Sequence, residues 1–168
     1  MSKLLQVFRA KPNPAGRDKV YGAPRPEQLL GEWVDIRNTG TEAIPFSAIS
    51  LSHTLFDNQC NNTGRAEIYW SGGGSNVLAV GQVVRVHTGN RLDAHLMNAS
   101  DKLGCNWHGY ADRSNFVLNN SCGDIITATW TDSFGTRQRD TVSYSRNQPE
   151  GAILERGKGL VVVSYSRY

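Results

Sequence analysis

Apolar and polar residues alternate along several short stretches of this chain. In residues 32–38, Val34 and Ile36 fall on one face of an extended segment, and Asp35 and Arg37 fall on the other. This period of two is typical of a β-strand with one buried face. Many short strands with turn residues between them predict an all-β sandwich or barrel. Similar stretches, bounded by Gly, Asn or Asp, occur at residues 4–9, 49–55, 66–70, 82–88, 116–118, 124–130, 140–144 and 160–165.

Three segments depart from the strand pattern. Residues 11–18 and 21–28 each contain two prolines, which remove backbone donors, so both are predicted to be loops. Residues 91–101 contain Leu92, Leu96 and Met97 and predict no more than a turn or two of helix.

The composition is that of one ordinary globular domain. The 168 residues are 39% hydrophobic and 20% charged, which excludes a disordered chain. No stretch approaches the roughly 20 apolar residues that cross a bilayer, so no membrane insertion is expected. The apolar part of the N-terminus ends within about five residues, whereas a secretory signal needs about 7–15. We therefore expect an intracellular, cytoplasmic protein.

The cysteine count fits this expectation. Cys60, Cys105 and Cys122 are an odd number in a chain that is large enough to fold without disulfides. Reduced thiols are therefore predicted.

Charge is distributed unevenly along the chain. Residues 1–25 carry six basic and one acidic side chain (+5), residues 26–136 carry six and eleven (−5), and residues 137–168 carry six and three (+3). If the termini lie near each other, they form one basic face on an acidic body. The alternative is a set of solvated strand edges, where basic residues prevent edge pairing. Nucleic acid would contact the predicted face through Arg9, Lys11, Arg17, Lys19, Arg25, Arg137, Arg139 and Arg146.

Five motifs follow one another in an order that resembles a known family. They are NPAGRD at 13–18, EWVDIRNTG at 32–40, LAVGQVVRV at 78–86, LNNSCGDII at 118–126 and DSFG at 132–135. Their order resembles that of the lamin tail domain, a module of nuclear lamins that also occurs in bacterial proteins. The resemblance covers residues 4–145 and departs from the family in an elongated loop at 53–76 and in a C-terminal extension.

The resemblance implies an immunoglobulin-like β-sandwich over residues 1–145, with residues 146–168 as a further strand of the same domain. The motif residues fill the core or form turns, and none is a catalytic group. Lamin tails are linked to both protein and chromatin partners. Bacterial relatives are often fused to hydrolases, so an accessory role to a hydrolase in trans is a further alternative.

Candidate chemical sites are few. Cys105 and His108 have a spacing used in zinc sites that Cys60 or Cys122 could complete, but the chain has no Cys-x-x-Cys pair. The same Cys105 and His108 could form a thiol nucleophile and its base, but no further catalytic motif accompanies them. We therefore predict no catalytic residue, no metal and no cofactor.

These observations predict a non-catalytic binding or scaffolding module that recognises a protein partner through loops or sheet edges. The alternative is DNA binding through the basic face. The apolar residues 160–163 are either the last core strand or an edge that pairs with another subunit, so a homo-oligomer is a further prediction.

Overall fold

The computed structural model describes residues 4–166 and consists mainly of β-strands in several sheets. The order β10-β9-β4-β1-β13-β14 forms a six-stranded sheet, and β12-β11-β6-β7 forms a four-stranded sheet. Two further sheets pair β2 with β3 and β5 with β8. The prediction of an all-β protein is confirmed. The strands are β1 (Leu5–Lys11), β2 (Lys19–Val20), β3 (Ala23–Pro24), β4 (Trp33–Asn38), β5 (Ile44–Pro45), β6 (Ile49–Phe56), β7 (Asn62–Ser71), β8 (Val77–Leu78), β9 (Val83–His87), β10 (Trp107–Tyr110), β11 (Asp124–Thr131), β12 (Arg137–Tyr144), β13 (Ala152–Arg156) and β14 (Leu160–Tyr165).

Short helices connect the strands. They are α1 (Pro26–Gly31) and three 3₁₀ helices, Phe46–Ala48, Arg91–Leu96 and Ala99–Lys102. The prediction of a loop over residues 21–28 was wrong at its end. Pro26 occupies the first turn of α1, where a missing N–H breaks no helical hydrogen bond. The short helix predicted over residues 91–101 is present as two 3₁₀ helices. Within residues 4–166, no helix is long and apolar enough to span a membrane.

The core lies between the two large sheets. Ile126, Ala128 and Trp130 alternate along β11 and are buried, whereas the threonines between them face outward. Val34 and Ile36 of β4 join the same apolar cluster from the six-stranded sheet. The period of two in the sequence therefore identifies the faces that meet in the core.

The outer face of β4 is also buried at Trp33 and Asp35, because the segment that contains the last two 3₁₀ helices covers it there. Asp35 is 0% exposed and forms two hydrogen bonds with Arg85, from Nε at 2.8 Å and from Nη2 at 2.9 Å. Arg9 Nε donates to the same carboxylate at 3.2 Å. The Arg85 guanidinium lies 3.7 Å from the centre of the Trp33 ring. Hydrogen bonds from Arg85 and Arg9 therefore take the place of water around the Asp35 carboxylate, and the Trp33 ring packs against the Arg85 guanidinium.

Cys60 and Cys122 form a disulfide, so the prediction of three reduced thiols was wrong. Cys60 lies between β6 and β7, and Cys122 precedes β11. Because β6 pairs with both β7 and β11, the ends of these strands meet. Cys105 is the free cysteine among the described residues. Disulfides are rare in a reducing cytosol, and the cytoplasmic location stays a prediction.

The side chain of Glu32 binds the backbone of residues 117–118, which precede Cys122 of the disulfide. Its Oε1 accepts hydrogen bonds from Thr88 Oγ1 at 2.6 Å, from Val117 N at 2.9 Å and from Leu118 N at 3.0 Å. The prediction of a strand over residues 116–118 was wrong, because two of its backbone donors bind this carboxylate instead of a neighbouring strand.

The buried Glu32 is expected to make stability depend on pH. Burial raises its pKa to about 7, above the value of about 4.3 in an unfolded chain. The folded state therefore binds more protons between these values. The contribution of Glu32 to stability is fully present below the unfolded pKa and is lost as pH rises through the folded one, by on the order of 3 kcal/mol.

Urea titrations of the protein and its Glu32→Gln variant measure this effect. The variant cannot titrate at position 32, so it should not lose this contribution as pH rises. The difference in free energy of unfolding, variant minus parent, should therefore increase by on the order of 3 kcal/mol between pH 4.5 and pH 8. Other titrating groups, including His53 and His87, cancel in the comparison. A difference that is independent of pH would contradict the assignment.

The segment after residue 145 forms two strands of the six-stranded sheet. β13 pairs with β1, and β14 pairs with β13 as the outermost strand. Leu160 is 3% exposed and reaches the core, whereas Val161 and Val163 are 58% and 53% exposed. The apolar run that the sequence left open is therefore both a core contact and an outermost strand.

Candidate binding cleft

The protein has an open side where both large sheets end. β10 is the outermost strand of the six-stranded sheet, and β7 is the outermost strand of the four-stranded sheet. In the described part of the chain, neither pairs with a further strand on its outer side. A cleft of about 490 Å³ lies between them, within the range of about 300–1,000 Å³ that is typical of ligand sites.

Aromatic rings from three elements line this cleft. Trp70 belongs to β7, Trp107 and Tyr110 belong to β10, and Phe46 belongs to the first 3₁₀ helix. Phe46 and Trp107 meet edge to face, with ring centroids 5.3 Å apart and planes at 73°. Trp107 Nε1 donates to Gln82 Oε1 at 3.0 Å, which pairs the polar atom of the indole and fixes the ring. The rings form a preorganised apolar surface.

Gly109 sets the depth of the cleft. A Cβ at this position would lie 2.9 Å from Cζ2 of Trp70. The missing side chain lets the Trp70 ring lie directly against the backbone of β10. Trp70 is 8% exposed and forms the floor, whereas the partly buried Trp107 forms a wall.

The backbone of β10 contributes hydrogen-bonding groups to the open side. Ala111 N donates to His87 O at 2.8 Å at the end of the parallel pairing of β10 with β9. Successive residues of a strand point their N–H and C=O groups to opposite sides, so those of Trp107 and Gly109 point to β9, and those of His108 and Tyr110 face away from it. Unpaired backbone groups beside apolar pockets are what an extended peptide needs to add a strand.

The side chains of Arg91 and His108 lie at the rim of the cleft. Arg91 Nη2 lies 3.3 Å from Asp112 Oδ2. The ring of His108 is held through its Nδ1, which lies 2.8 Å from His87 Nε2, and His87 Nδ1 lies 2.6 Å from Leu30 O. Because a carbonyl only accepts, His87 carries its proton on Nδ1, and His108 must donate from Nδ1. Burial lowers the pKa of His87 to about 3, so this chain of donors stays neutral and fixed.

Cys105 does not form a nucleophile–base pair with His108. Its Sγ lies 3.6 Å from Nε2 and 4.0 Å from Nδ1 of the ring. A sulfur on the line of the Nε2 lone pair would be much farther from Nδ1, so the similar distances put the sulfur well off that line. Burial also raises the pKa of the Cys105 thiol. This geometry gives the thiol no base that could activate it.

The zinc alternative fails in its predicted form, because Cys60 and Cys122 bond to each other and cannot join Cys105 and His108. Nowhere in residues 4–166 do three or more His, Cys, Asp or Glu side chains group as ligands of a metal ion.

The structure does not bring the predicted basic residues onto one face. Arg137 begins β12 and Arg146 lies beyond its end, so on the order of 25 Å of strand separates them. Arg137 and Arg139 line a groove on the outer face of the four-stranded sheet, beside serine and threonine hydroxyls of β6 and β11. Arg17 and Lys19 are exposed in the first loop and β2, at the Arg146 end of the molecule.

Three members of the predicted basic set are engaged within the protein. Lys11 is 3% exposed and forms an ion pair with Asp101, so its assignment to a DNA-binding face was wrong. Lys11 was predicted to begin the loop at 11–18, but it ends β1 and is covered by the 3₁₀ helix Ala99–Lys102. Arg9 binds Asp35, and Arg25 forms an ion pair with Glu27.

The cleft was missed in the sequence because its residues come from distant segments. Trp70 ends the strand predicted at 66–70, and the glycines 72–74 end the segment 53–76 that departs from the family pattern, most of which is the β6–β7 hairpin. The strand at Trp107–Tyr110 has only four residues, too few for a clear alternation. Its pair of aromatic residues around a glycine is the one local signal that could have indicated the site.

No family model and no curated protein matches the chain.

Proposed function

We propose that this protein is a non-catalytic binding module of the lamin tail domain type, with an immunoglobulin-like fold, which binds an extended segment of a protein partner along β10. The motif order over residues 4–145 and the two facing sheets support the family and the fold. The observation that carries the function is the aromatic cleft between two outermost strands. It combines fixed rings, an open backbone edge and a suitable volume in one place.

Panning a random peptide library on the protein tests this proposal. The dissociation constant of a selected peptide should rise at least tenfold in Trp107→Ala, because a central aromatic contact contributes about 2 kcal/mol or more to such an interface. Arg91→Ala, which changes the rim without touching the core, should weaken binding less. Phe134→Ala is the matched control, since Phe134 is 89% exposed in the turn between β11 and β12.

Two results would contradict the proposal. One is a library that yields no peptide, and the other is a peptide whose affinity falls as much in Phe134→Ala as in Trp107→Ala. Circular dichroism and urea unfolding of each variant separate a lost contact from a lost fold.

The alternative proposal is nucleic-acid binding on the outer face of the four-stranded sheet. It is supported by Arg137 and Arg139, which are exposed and form no ion pair within the described residues. A single-stranded DNA probe in the same assay separates the two proposals. DNA binding that is lost in the double variant of Arg137→Ala and Arg139→Ala, but kept in Trp107→Ala, would favour the alternative.

A further inference from the structure

Lys11 and Asp101 meet in the interior beneath the last 3₁₀ helix. Lys11 ends β1 and is 3% exposed, and Asp101 lies 90 positions later and is 1% exposed. The Lys11 Nζ atom contacts Asp101 Oδ1 directly. Neither side chain is part of the binding cleft, so a role for this pair is independent of the proposed function.

Every polar atom of Asp101 except one has a hydrogen-bond partner. Its Oδ1 also accepts a hydrogen bond from Trp33 Nε1 at 2.9 Å, and its backbone oxygen accepts one from Arg85 Nη1 at 3.1 Å. Its N–H donates to Asn98 O at 3.0 Å. Oδ2 is the one buried side-chain polar atom without a partner in residues 4–166. The backbone of Gly31 closes the space beside it, since a Cβ there would lie 3.5 Å from Oδ2.

The surroundings favour the neutral form of the amine. Desolvation by burial lowers the pKa of Lys11, and the positive charge of Arg85 acts in the same direction, against the opposing effect of Asp101. An uncharged amine is a nucleophile, whereas an ammonium ion is not. Two buried charges also lose their hydration, which their mutual attraction only partly offsets.

We propose that Lys11 and Asp101 are joined by an intramolecular isopeptide bond that the folded protein forms itself. A proton moves from the Lys11 ammonium to the Asp101 carboxylate, which gives an amine and a carboxylic acid. The amine nitrogen attacks the carboxyl carbon, and a bond forms between Nζ and Cγ. The bond between Cγ and Oδ2 breaks, and Oδ2 leaves as water with the acid proton and one proton from the nitrogen. Nothing is oxidised or reduced, and no other reactant is consumed.

The contacts of Asp101 suit this reaction atom by atom. The Trp33 N–H donates to Oδ1, the oxygen on which negative charge develops during the attack and which becomes the amide oxygen. The oxygen that leaves is Oδ2, the atom that has no partner in the folded protein. Contact between amine and carboxyl groups replaces an encounter in solution with an intramolecular step. The product contains a neutral amide in place of two buried charges.

The mass of the intact protein tests the proposal, after reduction of the Cys60–Cys122 disulfide. The parent protein is expected to be lighter than its sequence by one water, and a proteolytic digest should yield one peptide that joins the segments around Lys11 and Asp101. Lys11→Arg keeps the positive charge but cannot form the amide, so it should have its full sequence mass. The same substitution at the exposed Lys158 is the matched control and should keep the loss of one water.

A parent protein with its full sequence mass would overturn the proposal. So would a loss of one water that persists in Lys11→Arg, because that water would come from a condensation elsewhere in the chain. The first outcome rests on the mass of the parent alone and does not depend on the folding of any variant.

Discussion

Replacement of Arg85 by methionine is expected to lower the free energy of unfolding by about 3–5 kcal/mol, as for other buried ion pairs that lose one partner. Asp35 is 0% exposed, and Arg85 supplies two of the hydrogen bonds to its carboxylate. Without Arg85, the carboxylate keeps only Arg9, whose side chain is 25% exposed. The variant also loses the guanidinium that lies over Trp33. Urea unfolding at neutral pH measures the effect.

The control and the reverse experiment separate charge from packing. Arg139→Met removes an exposed guanidinium and should change stability by no more than about 0.5 kcal/mol. The double variant of Asp35→Leu and Arg85→Met removes both buried charges, so it should be more stable than Arg85→Met alone. A loss below about 1 kcal/mol in Arg85→Met would mean that the network is not a buried ion pair in solution.

Gly123→Ala is expected to destabilise the protein by about 4 kcal/mol, because backbone strain and a steric clash act together. Gly123 has a φ of +73°, which alanine rarely adopts. A Cβ there would lie 2.4 Å from the carbonyl oxygen of Tyr144 and 2.9 Å from the carbonyl carbon of Ser145. These are backbone atoms of the chain leaving β12, and no rotamer change can relieve the contact. Urea and thermal unfolding both measure the loss.

Gly135→Ala is the matched control for this substitution. Gly135 has a φ of +78° but would place its Cβ at least 4 Å from any atom outside its immediate neighbours. It therefore tests backbone strain alone, which costs about 1–2 kcal/mol. Equal losses in the two variants would mean that the chain near Tyr144 moves freely and that the close packing beside the disulfide is absent in solution.

The strands and the core follow from the sequence because their signal is local. Each inward position of β11, from Ile126 to Trp130, is apolar, and each position between is a threonine. In β4, Val34 and Ile36 give the same signal, and hydrophobic burial is enough to fix the face that points inward. Glycine and asparagine between the strands then mark the turns.

The parts that the sequence did not reveal depend on contacts between distant segments. Asp35 alternates like a solvent-facing residue, and only the later 3₁₀ helices turn its face into an interior one. The Cys60–Cys122 bond requires that the turn after β6 meet the start of β11, which no local pattern encodes. In the sequence, Lys11 has the features of an exposed basic residue at the start of a loop, and only the contact with Asp101 buries it.

The cleft also depends on contacts between distant segments of the chain. Trp70 and Trp107 come together because two sheets end on the same side of the protein, and a strand order cannot be derived from alternation alone. Its rings lie on strands and are fixed by packing and by the bond to Gln82, so little ordering is needed on binding. Such preorganisation is typical of sites that bind an extended partner without rearrangement.

An amide-resolved NMR titration with a peptide selected from the library is the decisive test of the proposed function. The largest shift changes are expected at the backbone amides of His108 and Tyr110, which face away from β9, and at the indole signals of Trp70 and Trp107. Signals of Arg137 and Arg139, on the outer face of the four-stranded sheet, should stay in place. Changes confined to that face, or to the loop at residues 13–18, with the cleft signals unmoved, would contradict binding along β10.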